Sequence, residues 1–400
     1  MIGEWKIPFF LVVRYLRRGS KWTFSFIVLL MSIAFVNLIF VTALFNGIIE
    51  AVNNQVIDTH MGHIYMLPPE GSEYLDGIGA VSDRIQSLEK VRGVSPHLYV
   101  PGRIMYKNIS GNWQIVAIDP DKEKTVTNVS KNMIEGAYLE KGDTDQIILG
   151  RQIAGGKNVE MNALSFRGAR TGESVVLDVG GFRKTFTIKG IFHTRFLDTD
   201  KRAFISRTFL DETIPGMSGV ASSMIIRIDK TGDEKKVIRL LEKMKIPGKL
   251  FSWNEVAGYL DSVTKSFTHI NTLLTMVGML IAAITIFIVI YVDLSSRRQQ
   301  IGVLRAIGIR PSLIRFTYVL QTLVYSMAGI LIGLLVLLHG IAPWMEKHPF
   351  EMPIGDAALV IDYHDLLFRA VLIIIVAVLS GLTPVFIATK GKILDAIFNR

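Results

Sequence analysis

Four uncharged apolar stretches set the first limit on how this chain can fold. Thr23–Ile49, Ser266–Val292, Phe316–Met345 (which contains His339) and Ala370–Thr389 carry no Asp, Glu, Lys or Arg. Each reaches the roughly 20 residues that a helix needs to cross about 30 Å of hydrocarbon. A chain with four such runs is expected to be a membrane protein with four transmembrane α-helices. The spacing between the runs also matters. More than 200 residues separate the first run from the second, whereas the other gaps are short. The fold class expected is therefore four transmembrane helices with a large extracytoplasmic domain inserted between the first and second.

Charge sets the orientation. The chain carries +9 overall, which on its own would fit a nucleic-acid binder. The excess sits elsewhere than on a binding face. Residues 1–21 hold five Lys/Arg and one acid, residues 293–315 five and one, and residues 390–400 three and one. Residues 346–369 hold two Lys/Arg and five acids, and the 48–265 segment is nearly balanced at 29 and 27. Positive charge concentrated in short flanks of apolar runs is the positive-inside pattern. It puts both termini and the 293–315 loop in the cytoplasm and residues 50–265 and 346–369 outside, and it excludes nucleic acid as a partner. The expected division is 1–21, a cytoplasmic or interfacial amino-terminal helix; 22–49, 266–292, 316–345 and 370–389, the four spans; 50–265, the external α/β domain; 293–315, a cytoplasmic loop; 346–369, a short external loop; and 390–400, a cytoplasmic tail. The first run is too long for a signal-peptide core and no small-residue cleavage pattern follows it, so it reads as a retained anchor.

Within residues 5–18, Phe9, Phe10, Val12, Val13 and Leu16 can face lipid while Arg14, Arg17 and Arg18 reach headgroups, with Pro8 in the first turn. A plain positive flank fits equally. In the first span, Asn37, Thr42 and Asn46 lie at spacings of five and four. They are read either as helix–helix contacts or as one polar face lining a substrate cavity between the first and second spans. Outside, 62–67, 104–109, 112–118, 174–179, 182–192 and 224–228 read as strands, with 174–192 a hairpin across Gly180–Gly181. Helices are expected around Asp83–Val91 and Asp233–Lys245. From Trp253 a helical pattern runs through Tyr259 and Val263 into the second span.

No stretch carries chemistry of its own. Gly-Lys occurs at 156–157, 248–249 and 391–392, never followed by the Ser or Thr of a P-loop. His60 and His63 could share one helical face but lack further ligands at a metal-site spacing. The pairs Asp143/Asp145 and Asp198/Asp200 read as solvated loop charges. With no cysteine, neither a disulfide nor a thiolate metal site is possible. The chain is expected to be no enzyme and to hold no catalytic residue, metal or cofactor. The 294–315 stretch is the most pointed. Ser295 or Ser296 can cap a short helix with Ile301, Leu304 and Ile307/Gly308 on one face and Arg298 and Arg305 on another, closed by Gly308 and Pro311. Such a helix packs on the bilayer surface or on another protein.

That stretch resembles the permease subunits of FtsX/MacB-like ABC transporters, whose pattern between the second and third spans runs R-x-x-E-I-G-x-L-R-A-x-G. Arg297, Ile301, Gly302, Leu304, Arg305, Ala306 and Gly308 fall in register, with Gln300 where the family has Glu. Pro384, Ala388 and Lys390 are similar to the family's carboxy-terminal ending, where Ile393 and Asp395 replace its Pro and Glu. IPFFLVVRYLRR, ALFNGIIEAVNNQVIDTHMGHI, MIEG at 133–136, IILG at 147–150 and residues 186–206 resemble lipoprotein-releasing (LolC/LolE-type) permeases.

The resemblance implies a permease in the cytoplasmic (inner) membrane working as a dimer, with a second copy or a paralogue, on an ABC ATPase subunit dimer that binds the ATP and Mg. It makes Arg297, Arg298, Gln300, Ile301, Gly302, Leu304, Arg305 and Gly308 an ATPase-coupling helix. The motion would pass by mechanotransmission to the external domain and extract a lipophilic cargo, lipoproteins first, from the outer leaflet, with a periplasmic lipoprotein chaperone as a possible receiver. The alternatives are a MacB-like exporter of peptide, drug or glycolipid, an FtsX-like signalling permease that transports nothing, and a membrane-anchored scaffold without an ATPase.

Overall fold

The computed structural model describes residues 6–390 apart from 19, 158, 161, 180, 181, 215, 257 and 354. The expected 390–400 tail and the Gly180–Gly181 turn thus lie essentially outside the described residues. Two compact units result, one of residues 51–263 with 352–355, the other of the remainder.

The second of these is helical. Four of its helices are long and apolar enough to cross a membrane: Lys21–Val56, Gly258–Ser296, Pro311–Val336 and Tyr363–Lys390, here the first to fourth apolar helices. They bury one another's apolar faces in two clusters. Ile27, Met31, Ile286, Ile290, Tyr318 and Val385 fill one; Phe35, Leu38, Leu337 and Ile373 fill the other. Close approach of the first and third helices depends on missing side chains. A Cβ at Gly329 would collide with Met31, and one at Gly333 would lie 2.8 Å from the Phe35 ring. Small residues four apart are how membrane helices come together, because apolar side chains gain little over lipid. Several hydroxyls inside the bundle bond to their own helix: Thr42 donates to Leu38 O, Thr317 to Leu313 O and Thr322 to Tyr318 O, so these hydrogens are satisfied without a second helix. An amino-terminal helix (Lys6–Arg18) buries Val12 and stacks Tyr15 on Tyr318, while Phe9, Phe10 and Val13 stay exposed.

Residues 51–263 form the α/β unit, built on a twelve-stranded mixed sheet. In order its strands are Lys249–Ser252, Ile64–Leu67, Ser223–Ile228, Val91–Val100, Gln114–Ile118, Arg202–Ser206, Gln146–Gly150, Phe182–Phe192, Ser174–Val179, Arg103–Tyr106 and Ile109–Gly111. Met133–Gly136 pairs beside Phe182–Phe192. Ile147 and Leu149 enter one core and Ile148 the other. A strand covered on both faces reads as a continuous apolar run, as IILG does.

Several expectations are corrected here. Residues 104–109 do not make one strand, because Lys107 turns at φ 52° and a hairpin forms around it. The helix expected at Asp83–Val91 spans Ile78–Gln86, and Val91 begins a ten-residue strand. Residues 62–67 are strand only from Ile64, since Gly62 adopts φ 63° after a π-helical turn. His60 and His63 consequently share no helical face. His60 Nδ1 meets Thr199 Oγ1 at 2.8 Å, and His63 Nε2 meets Thr231 Oγ1 at 3.0 Å. Asp200 is no solvated loop charge: it is 1% exposed, accepting from Thr194 N–H at 2.7 Å and Thr194 Oγ1 at 2.8 Å and contacting His193. Asp143, half-buried, pairs with Lys189 at 2.6 Å.

Candidate functional site

Two polar constellations occur in the helical unit. One lies where the second apolar helix meets the short loop helix Arg298–Ala306. This loop helix ends in a Schellman turn: Ile309 N–H bonds to Leu304 O and Gly308 N–H to Arg305 O, with Gly308 at φ 93°. Gly308 is therefore a helix stop, and its missing Cβ faces open space.

The loop helix divides the residues expected to contact an ATPase. Ile301, at 1% exposure, and Gly302 face inward, Ile301 packing against Leu294 and Ile314 in the helical core; Leu304 packs partly against the same cluster. Arg297 also turns inward. Its Nε donates to Asp293 Oδ1 at 3.1 Å, and its guanidinium lies 5.0 Å from the Tyr15 ring centre. Gln321 Nε2 donates to the other Asp293 oxygen at 3.4 Å and also to Tyr325. Ile301 and Arg297 thus contact their own bundle and Gly302 is buried, which leaves less of the helix open to a partner than its sequence suggests. The surface left open carries Gln300, Val303 (48% exposed), Ile307 (70%) and, half-buried, Arg298 and Arg305. Sequence periodicity missed Val303 because apolar residues occur on both sides of this nine-residue helix.

The second constellation is a cavity of about 860 Å³ lined by the first, second and fourth apolar helices. Thr42 and Asn46 line it, as expected, whereas Asn37 is exposed and does not. A spacing of five turns a residue about 140° around a helix of 3.6 residues per turn, so Asn37 cannot share their face. The opposing wall is a stripe on the second helix, Thr268, Asn271, Thr272 and Thr275, continued by Met276, Met279 and Leu280. From the fourth helix comes an ion pair: Arg369 Nε donates to Asp365 Oδ2 at 2.9 Å, and Arg369 Nη1 donates to Thr275 Oγ1 at 3.0 Å. Asn271 Oδ1 is buried without a partner. The threonine–asparagine stripe was readable at i, i+3, i+4 and i+7. Arg369 and Asp365 were not, because they border the apolar run and count as loop charges. Among the described residues, no group of three or more His, Asp or Glu side chains is placed to hold a metal ion. The cavity can take an apolar ligand with a polar or charged end, a combination that membrane helices provide where something other than lipid binds.

A multi-pass helical unit carrying a large α/β domain is the architecture of a membrane permease. Residues 25–244 match the MacB-like periplasmic core domain family, more than half the chain, and residues 272–393 match the FtsX-like permease C-terminal family. The chain belongs to the FtsX/MacB-like ABC transporter permeases, and as such is a membrane subunit. It is 27% identical over 158 residues to the ABC transporter permease YtrF of Bacillus subtilis (strain 168); the match takes in 35% of this chain and only 36% of that relative's length. Among solved structures, it is similar to the periplasmic region of MacB from Actinobacillus actinomycetemcomitans, with 13% identity and a TM-score of 0.36, over 52% of this chain and 96% of that one. It is also similar to the extracellular domain of the noncanonic ABC-type transporter YknZ from Gram-positive bacteria, with 10% identity and a TM-score of 0.34, over 48% and 97%.

Proposed function

We propose that this chain is the permease subunit of an ATP-driven complex that extracts a lipophilic cargo, lipoproteins first, from the outer leaflet of the cytoplasmic membrane. The reading rests on the mixed cavity, whose methionines and leucine suit acyl chains and whose Arg369–Asp365 pair and asparagines suit a polar end. In this proposal the four apolar helices span the membrane with both termini and the 293–315 loop inside. The 50–265 domain stands outside, as an insertion between the first two spans. A separate ATPase dimer docks on the exposed face of the loop helix and supplies ATP and Mg, and a periplasmic chaperone receives the cargo. Dimerisation with a second permease is supported by the second apolar helix, of whose most apolar stretch only 17% is buried against 50% for the first. Leu273, Val277 and Ile284 on it are more than half exposed.

Photo-crosslinking residues at Asn46 and Thr272, in cells, should capture a lipidated polypeptide, while one at Asn37 should capture bulk lipid alone. Capture of an unlipidated peptide or a glycolipid would transfer the reading to a MacB-like exporter. No capture from either cavity position would overturn transport through this cavity.

A further inference from the structure

A second cavity, of about 510 Å³, lies at the opposite end of the helical unit from the cargo cavity and shares only Gln300 with the proposed docking face. Arg14 and Arg18 of the amino-terminal helix, and Arg297 and Gln300 of the loop, line it together with Ser20 and Thr23. Three arginines thus line one space. Asp293 is the single carboxylate on its wall, and both its oxygens are engaged, one by Arg297 and the other by Gln321. The wall carries a net +2 from three cations and one anion. Arg14 and Arg18 are exposed and make no ion pair among the described residues. The start of the first apolar helix opens onto the same cavity. Ser20 Oγ accepts from Thr23 N–H at 3.3 Å, so the positive end of that helix dipole adds to the arginines.

What sits beside this cavity identifies the anion. Phe10, Arg14 and Arg18 recur at spacings of four along one edge of the amino-terminal helix, Phe10 lying 6.0 Å under the Arg14 guanidinium. Phe9, Phe10 and Val13 are 57%, 62% and 49% exposed. An edge that passes within two turns from exposed phenylalanine to unpaired arginine matches a molecule with acyl chains and a phosphate, and not a soluble phosphate alone. We infer that the Arg14–Arg18–Arg297 cavity binds the headgroup of an anionic phospholipid, with the acyl chains along Phe9, Phe10 and Val13. The inference does not depend on the identity of the cargo. Its consequence is mechanical: a lipid held between the amino-terminal helix and the root of the loop helix ties the coupling segment to the bilayer surface.

The test is native mass spectrometry of the purified full chain in detergent, titrated with dihexanoyl-phosphatidylglycerol, dihexanoyl-phosphatidylcholine or inorganic phosphate. Phosphatidylglycerol should bind at one saturable site more tightly than phosphatidylcholine. An arginine near an anionic lipid surface is worth about fivefold in affinity, so the R14Q/R18Q double variant should bind about 25-fold more weakly. Arg17→Gln removes an equal charge from an exposed position off the cavity and should change binding less than twofold. Both arginines replaced are exposed, so melting temperature should be unmoved. Equal binding of phosphatidylcholine, equal loss in Arg17→Gln, or displacement by inorganic phosphate at the same concentration as by lipid would each overturn the proposal.

Discussion

Arg297 Nε donates to Asp293 Oδ1 at 3.1 Å across one helical turn, joining the end of the second apolar helix to the start of the loop helix. Asp293 is 6% exposed, so its charge has few other places to go. Removing one partner of a buried pair strands the other, at a cost of about 3–5 kcal/mol. Arg297→Leu should lower stability by that amount in denaturant unfolding, and the double variant D293N/R297Q should recover most of it. Arg298→Ala, one residue on and half-buried, should cost about 0.5 kcal/mol or less. Equal effects from Arg297 and Arg298 would dismiss the pair as a structural anchor.

The same geometry separates docking from folding along nine residues. Val303→Asp and Ile307→Asp alter residues that are 48% and 70% exposed and should abolish co-purification of the ATPase while leaving thermal unfolding unchanged. Ile301→Asp places a carboxylate against Leu294 and Ile314 and should destabilise the chain itself. An ATPase that stays bound to both exposed-face variants would remove the loop helix from the interface.

Gly329 and Gly333 give a third measurable outcome. A side chain at either position meets the first apolar helix, at Met31 or at Phe35 and Ser32. Leucine at 333 should cost about 1–3 kcal/mol by overpacking, read as a lowered melting temperature in detergent. Gly340→Ala, where a Cβ meets nothing within 4 Å, is the matched control and should be neutral. Equal melting temperatures for the two would mean that the helices do not approach at Gly333.

The sequence made the apolar helices, the α/β character of the intervening region and the family legible because each rests on a long or repeated pattern. The alternation in SVVLDV and FRKTFTIKGIF marked its two strands to the residue. Val91–Val100 stayed hidden because Arg92, Gly93, Pro96 and His97 interrupt it. Pro96 is tolerated within the strand, and Ser95 and His97 turn inward to a buried Glu123, at 2.6 and 2.7 Å. Burial alone would raise that carboxyl, yet His97 and the hydrogen bonds from His97, Ser95 and Thr127 hold it below the usual carboxylate range. Of the cavity residues, Thr42 and Asn46 were legible by their spacing, and Asn37 was misplaced by the angle that five residues subtend. Arg369 was hidden because a charge at the edge of an apolar run looks the same whether it faces water or a cavity. The inward turn of Ile301 was hidden because periodicity names a face without saying what it meets.

His63 supplies the last prediction, in the α/β unit. Its ring is 3% exposed. Ile228 N–H donates to Nδ1 at 3.4 Å, which leaves Nε2 to donate to Thr231 Oγ1 at 3.0 Å. Both nitrogens are thus satisfied only in the neutral ring. Burial first, and then the neighbouring Arg227 charge, lower its pKa from 6.5 to about 4, against weaker opposing pulls from Glu234 and Asp58. Between these values the unfolded chain binds a proton that the folded chain refuses. His63 therefore contributes stability that is complete above pH 6.5 and is lost as pH drops toward 4, about 3 kcal/mol from this group, and buried His60, whose pKa burial and Arg202 also lower, acts in the same direction. Carboxylates contribute mainly below that window; Glu173, for instance, held by Tyr106, the Arg170 amide and Lys107, titrates near 2. Hydrogen exchange of the Ser223–Ile228 strand in the full chain should lose protection steadily from pH 6.5 to pH 5, after correction for intrinsic rates. His63→Gln keeps a donor toward Thr231 and cannot be protonated, so it should reduce that slope, leaving the part due to His60, even if its protection is lower throughout. A slope unchanged in His63→Gln would assign the pH dependence to another group.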